Sequence, residues 1–201
     1  MVAAMSIRIA LLLAALLPLP AAAQTPAAPP AAEAPADDLV RVALDTEQGR
    51  IVLALNRGRA PATVANFLRY VDAKRLDGVS FYRAMQVGGG NGLIQAGVRD
   101  ARLLYPPVEH EPVSETGLGH EAGAVAMANF GPGTARSDFF ILAGPIPSLD
   151  KDFAVFGRVV EGLDVVKAIL ASPVSATRGE GSMRGQMLEP AVKITRVRRL
   201  D

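Results

Sequence analysis

The sequence predicts a mainly β fold, a closed barrel or a sandwich, with two helices packed on it. Short apolar runs recur along the chain, separated by turns rich in glycine, of which there are 19. Only two segments carry the apolar spacing of a helix. The 201 residues are 50% hydrophobic, enough to fill a proper core.

The elements follow in order. Val40, Val42 and Leu44 alternate with Arg41, Ala43 and Asp45, which predicts a strand with one wet face. Glu47-Gln48-Gly49 makes a turn, and Ile51, Leu53 and Leu55 face one side of the next strand, so the two form a hairpin. Pro61 opens the first helix, where its missing N–H costs nothing. Val64, Phe67, Leu68 and Val71 then make one apolar stripe. Asp77-Gly78 ends that segment, and further strands are expected at 79–85, 93–98, 123–128, 138–143 and 154–160. The second helix is expected at 162–171, with Leu163, Val166 and Ile169 or Leu170 inward. Val192, Ile194 and Val197 mark a final strand. Patterning alone does not choose between barrel and sandwich. There is no internal repeat and no heptad pattern.

The N-terminus reads as a targeting segment. Arg8 precedes the apolar run Ile9–Leu17, followed by Pro18-Leu19-Pro20 and Ala21-Ala22-Ala23. A short basic region, a short apolar run and small residues at a cleavage site describe a secretory signal peptide, here 1–23. The run falls well short of the roughly 20 residues that span a bilayer. Residues 24–38 are mostly Ala and Pro and read as a disordered linker, which leaves 39–201 as the folded domain. Cleavage would leave no stable membrane anchor, and the periplasm is the simplest destination. The chain has no cysteine, so disulfides and thiolate metal sites are excluded. A formal charge of +1 gives no footprint for nucleic-acid binding. A monomer without cofactor or metal is expected.

Five strings, in order, carry the chemistry. They are Phe81-Tyr82-Arg83, Ile94-Gln95-Ala96-Gly97, Met127-Ala128-Asn129 with Gly131-Pro132-Gly133-Thr134, Ser137-Asp138-Phe139-Phe140-Ile141, and Ser148-Leu149-Asp150 with Phe153–Gly157. Together they resemble the cyclophilins, the peptidyl-prolyl cis-trans isomerase family. The first resembles that family's Phe-His-Arg and the second its Gln-Gly-Gly. The resemblance implies a closed eight-stranded antiparallel β-barrel capped by two α-helices, with a packed interior and the substrate on an outer face. It implies proline-containing polypeptides as partners.

Prolyl isomerisation requires neither proton transfer, metal nor nucleophile. The peptide C–N bond resists rotation by about 18–20 kcal/mol, and X–Pro exchange takes tens of seconds or more. A catalyst has to favour the twisted amide. A permanent cation with a rigid donor fork, held near the prolyl amide, does so. Arg83 matches the family's catalytic arginine. Phe140 and Leu149 match two walls of its proline slot, and Leu93 falls where a methionine is usual. Gln95 and Asn129 match residues that hold the peptide backbone, by side chain and main chain respectively, and Ala128 lines the same groove. One of Phe139 and Phe140 is expected in the core, and the resemblance gives the slot to Phe140. Four departures stand out. Asp138 replaces a glutamine and is expected to repel acidic peptides. Ser148 replaces a tryptophan, which predicts weak cyclosporin binding, and Phe153 replaces a histidine on the rim. The Gly-rich 86–92 segment replaces a shorter Ile-Pro-Gly-Phe segment and puts Gly92 where an aromatic is usual. Its backbone freedom predicts a shallower slot and a slower enzyme.

Other signals are weaker. Gly88-Gly89-Gly90-Asn91-Gly92 lacks the Lys-Ser/Thr of a phosphate-binding loop. His110 and His120 each neighbour a glutamate, and both read as solvated loop residues rather than metal ligands. The 99–120 segment, with Pro106-Pro107, reads as a long loop that either covers the groove or lies elsewhere. Two other functions compete with isomerisation: a barrel that holds proline segments without turning them over, and a lipocalin-like ligand barrel.

Overall fold

The computed structural model describes residues 37–200. The expected leader at 1–23 and nearly all of the expected linker lie outside the described residues. The strands are β1 (Leu39–Thr46), β2 (Gly49–Asn56), β3 (Ser80–Gly88), β4 (Asn91–Ala96), β5 (Ala124–Met127), β6 (Phe139–Leu142), β7 (Val155–Glu161), β8 (Val174–Ser175) and β9 (Met187–Arg199). The helices are α1 (Pro61–Asp72), α2 (Val113–Thr116) and α3 (Leu163–Leu170). The sheet runs β1-β2-β7-β5-β6-β4-β3-β9, and β9 pairs again with β1, which closes an eight-stranded antiparallel barrel. The two-residue β8 adds to the side of β9. Closure removes the exposed strand edges that an open sheet presents.

The alternation in the sequence separates inside from outside. Ile94, Ala96, Val125, Met127, Phe139 and Ile141 belong to one fully buried cluster together with Phe67, Phe81 and Phe156. Phe67 packs edge-on to Phe139 with ring centroids 5.2 Å apart, and it lies 5.2 Å from Phe156. Aromatic rings fill the barrel, which excludes the lipocalin-like reading.

Two helices close the ends. Val64, Phe67, Leu68 and Val71 of α1 face the core, as do Val166, Ile169 and Leu170 of α3. The ends are opposite ones: α1 follows the far end of β2, whereas Val165 of α3 packs on Gly49 at the β1–β2 turn. Leu170 packs close to Gly92 in the β3–β4 hairpin.

The 99–120 segment does not hang free. Arg75 donates to the Leu103 carbonyl at 2.7 Å, and the Tyr105 N–H donates to the Tyr70 hydroxyl at 2.8 Å. Glu111 supplies the cap that Ala60 cannot. Its carboxylate accepts the N–H groups of Ala62 and Thr63 at 2.9 and 2.8 Å, at the positive end of α1. The single-turn α2 lies within this segment, a third helix where a loop was expected. Among the described residues, no helix is long and apolar enough to cross a membrane.

Candidate active site

A second apolar cluster lies on the outside of the barrel. Leu93, Ala124, Ala126, Phe140, Leu142 and Val155 form it, with Met85, Leu118, Ala128, Ile146, Leu149 and Phe153 packed against it. Its backbone frame is a pair of cross-strand rows. Gln95 pairs with Phe140, Phe140 with Ala126 and Ala126 with Val155. Met85 pairs with Leu93, and Leu93 with Leu142. Phe139 faces in and Phe140 faces out because neighbouring strand residues point to opposite faces.

Arg83 joins the first row through an irregularity. Strict alternation after the buried Phe81 would turn Arg83 into the barrel. The register instead goes from Phe81 opposite Ala96 to Arg83 opposite Gln95, so two residues of β3 oppose one of β4. That bulge keeps both Tyr82 and Arg83 outside, and restores Ala84 to the core.

The half-buried guanidinium is held by uncharged acceptors. Nε donates to Gln186 Oε1 at 2.8 Å, NH1 to Gln95 Oε1 at 2.9 Å, and NH2 lies 3.5 Å from Met85 Sδ. Burial pulls its pKa down from the usual guanidinium value. An arginine remains protonated throughout the physiological range. These hydrogen bonds fix its geometry without neutralising it.

Beyond Gln95 the polar row continues. Gln95 Nε2 donates to the Tyr82 hydroxyl at 2.6 Å, and that hydroxyl donates to Asp138 Oδ2 at 2.7 Å. Arg99 NH1 lies 3.7 Å from the same carboxylate oxygen. Asp138 is therefore not the bare repelling charge expected of it: a phenol and a guanidinium occupy one oxygen.

The other wall is the 3₁₀ turn Pro147–Lys151, which carries Leu149, and Phe153 just after it. Phe140 and Phe153 meet edge-on, with centroids 5.3 Å apart. Behind them sits His120, which corrects the expectation of a solvated loop histidine: it is 1% exposed. Its ring stacks on Phe140 at 5.9 Å. Nδ1 and the backbone N–H both engage Asp150 Oδ1, at 2.7 and 2.9 Å, while Nε2 has no hydrogen-bond partner among the described residues. Burial lowers the imidazole pKa, against the upward pull of Asp150. This neutral ring buttresses the slot and ties it to the turn.

The remaining expected residues are also placed. Leu93 is buried in the cluster, and its cross-strand neighbour Met85 supplies the thioether missing at that position. Ala128 packs at the edge. Asn129 donates from its side chain to the Asp152 carbonyl at 2.8 Å and accepts the Gly131 N–H at 3.0 Å. Ser148 is exposed beside Leu149. Gly92 has no room for an aromatic, because a Cβ there would lie 2.2 Å from the Met85 carbonyl oxygen. The 86–92 segment is a tight hairpin rather than a loose loop. Gly89 and Gly90, with φ of 61° and 77°, form its two-residue turn, and Gln86 Nε2 donates to the Leu170 carbonyl at 3.0 Å. Tyr82, Met85, His120 and Gln186 are the site residues that sequence reasoning missed. Among the described residues, no cluster of three His, Asp or Glu side chains forms a metal position.

Comparison with known proteins agrees with this fold. Residues 40–199 match the family described as cyclophilin type peptidyl-prolyl cis-trans isomerase/CLD. A peptidyl-prolyl cis-trans isomerase of Streptomyces antibioticus is 36% identical over 151 residues, covering 69% of this chain and 87% of the relative. The peptidyl-prolyl cis-trans isomerase-like 1 of Rhizopus delemar is 38% identical over 136 residues, covering 63% of this chain and 77% of its own length. A crystal structure of a Cryptosporidium parvum cyclophilin type peptidyl-prolyl cis-trans isomerase superposes with a TM-score of 0.68 at 18% identity, covering 82% of this chain and 99% of that one. A second structure of it, in the presence of the dipeptide Ala-Pro, gives 0.66, covering 80% and 99%. With a closed barrel, an outer apolar slot and matching sequence over nearly the whole described region, the chain belongs to the cyclophilin-type peptidyl-prolyl cis-trans isomerases.

Proposed function

We propose that Arg83 drives isomerisation of X–Pro bonds in exported polypeptides, with the proline ring seated among Phe140, Leu149, Phe153, Leu93 and Met85. The observation that carries this is an arginine held only by neutral acceptors at the edge of an outward apolar cluster. As the amide twists, the prolyl nitrogen regains a lone pair, and a positive donor beside it favours that state over either planar isomer. The fixed partners mean that the guanidinium reorganises little during rotation. The Asn129 side chain is committed within the protein, which supports a main-chain role toward substrate. The leader expected at 1–23 supports an exported destination, and cell fractionation of the full chain tests it.

The test of mechanism is exchange of a short X–Pro peptide with wild type and Arg83→Ala. Loss of one oriented electrostatic donor is expected to lower kcat by about 10²-fold. Equal rates would remove Arg83 from the reaction. The competing reading, a module that binds proline segments without turning them over, rests on Gly92, Asp138 and Ser148. Measurable peptide affinity with no acceleration by wild type would favour it.

A further inference from the structure

Tyr82 and Asp138 stand where the family's motifs have a histidine and a glutamine, yet here they are bonded to each other. They also end a chain of donors with one direction. Arg83 donates to Gln95, Gln95 to Tyr82, and Tyr82 to Asp138, at 2.9, 2.6 and 2.7 Å. It starts on a cation and ends on an anion, so each bond polarises the next the same way.

The chain settles the orientation of one amide. Gln95 is 7% exposed and offers an oxygen at one end and an NH₂ at the other. The guanidinium has only donors, so it requires the oxygen. Tyr82 has a single hydroxyl hydrogen, and the Asp138 carboxylate takes it. What the phenol then offers Gln95 is a lone pair, which requires the NH₂. Burial, reinforced by Asp138, holds the phenol pKa well above its usual value, so the hydroxyl keeps its hydrogen. Asp138 Oδ2 also lies 3.5 Å from Gln95 Nε2 and would reject the flipped amide. Space for the carboxylate comes from Gly97, where a Cβ would fall 1.8 Å from Asp138 Oδ1.

We infer that Tyr82 and Asp138 act as one positioning pair that locks Gln95 in the orientation aiming the Arg83 guanidinium over the slot. This rests on the role proposed for Arg83. Without the pair, the Gln95 amide is held at its oxygen end alone, its NH₂ end is free to shift, and the guanidinium loses its lateral stop.

The experiment uses the full chain with Tyr82→Phe, Asp138→Asn and the double variant, beside Arg83→Ala. Each single variant is expected to lower kcat about tenfold, as small misplacements of a reacting group do, with KM nearly unchanged. The double variant should be no worse than the poorer single, since both cut the same chain. The side-chain amide NMR signal of Gln95 should shift in each. Asp138→Asn is isosteric and keeps the test alive if Tyr82→Phe fails to fold. Unchanged kcat in the single variants, effects that multiply in the double, or a loss confined to thermal stability would each overturn the pairing. If Arg83→Ala is inert while Tyr82→Phe is neutral, only the pairing fails. If Arg83→Ala matches wild type, the role of Arg83 itself fails.

Discussion

The two apolar clusters share strands β4 to β7 and differ in what surrounds them. Inside the barrel, Phe139 meets the rings of Phe67 and Phe81 edge-on and lies in a core that the helices close. Outside, Phe140 meets Phe153 edge-on and the stacked imidazole of His120, and the neighbouring wall is a turn, not a helix. Adjacent residues of β6 thus belong to separate apolar clusters, one inside the barrel and one on its outer face. The lesson is that burial alone does not mark the core here, because Phe140 is only 3% exposed and still belongs to the other face.

The sharpest way to break the comparison is to truncate each ring in turn. Phe139→Ala is expected to cost about 3–5 kcal/mol, because it leaves a cavity that the packed barrel cannot fill. Phe140→Ala should cost less, about 2 kcal/mol, since its cluster opens outward and relaxes more readily. In exchange it should raise KM for X–Pro peptides, which Phe139→Ala in its surviving folded fraction should not. Denaturant melts and peptide kinetics on the two variants decide this. Equal stability losses with equal KM would erase the distinction drawn between the clusters.

A smaller effect separates the slot's backing from the barrel's end. Glu111→Ala removes the side-chain cap of α1 and should cost about 1 kcal/mol in a denaturant melt, with kcat unchanged. The slot's backing should instead answer to pH. His120 has a folded-state pKa below its ordinary value, because burial opposes its charge. The unfolded chain therefore takes up a proton first as pH falls. The stability that His120 contributes is fully present above about pH 6.5 and drains away as pH drops from there through the folded-state value. His120→Gln should flatten that part of the stability profile. A profile with the same slope in the variant would move the effect to other groups.

Much of this was legible in the sequence. The hairpin β1–β2, the stripe of α1 and the inward set of α3 follow from simple periods of two and 3.6. Assigning Phe140 to the slot needed the motif, since alternation says only that Phe139 and Phe140 face opposite ways. Arg83 shows where periodicity stops: its outward placement depends on a bulge, and no local residue pattern announces one. Met85 was hidden for the same reason, because its face is set only after the bulge. His120 looked solvated since a histidine between glycine and glutamate gives no sign of the distant Asp150 that receives it. The glycines at 88–90 read as looseness, whereas Gly88 pairs with Asn91 and leaves Gly89-Gly90 as a two-residue turn.

The one-residue excess in β3 has a wider meaning. It lets a permanently charged side chain join the barrel wall without displacing any apolar residue from within. Deleting Tyr82 would close the bulge, leave Arg83 opposite Gln95 on the outer face, and remove only the phenol from the polar row. The wall gains one residue while the packed interior beneath it keeps its alternation.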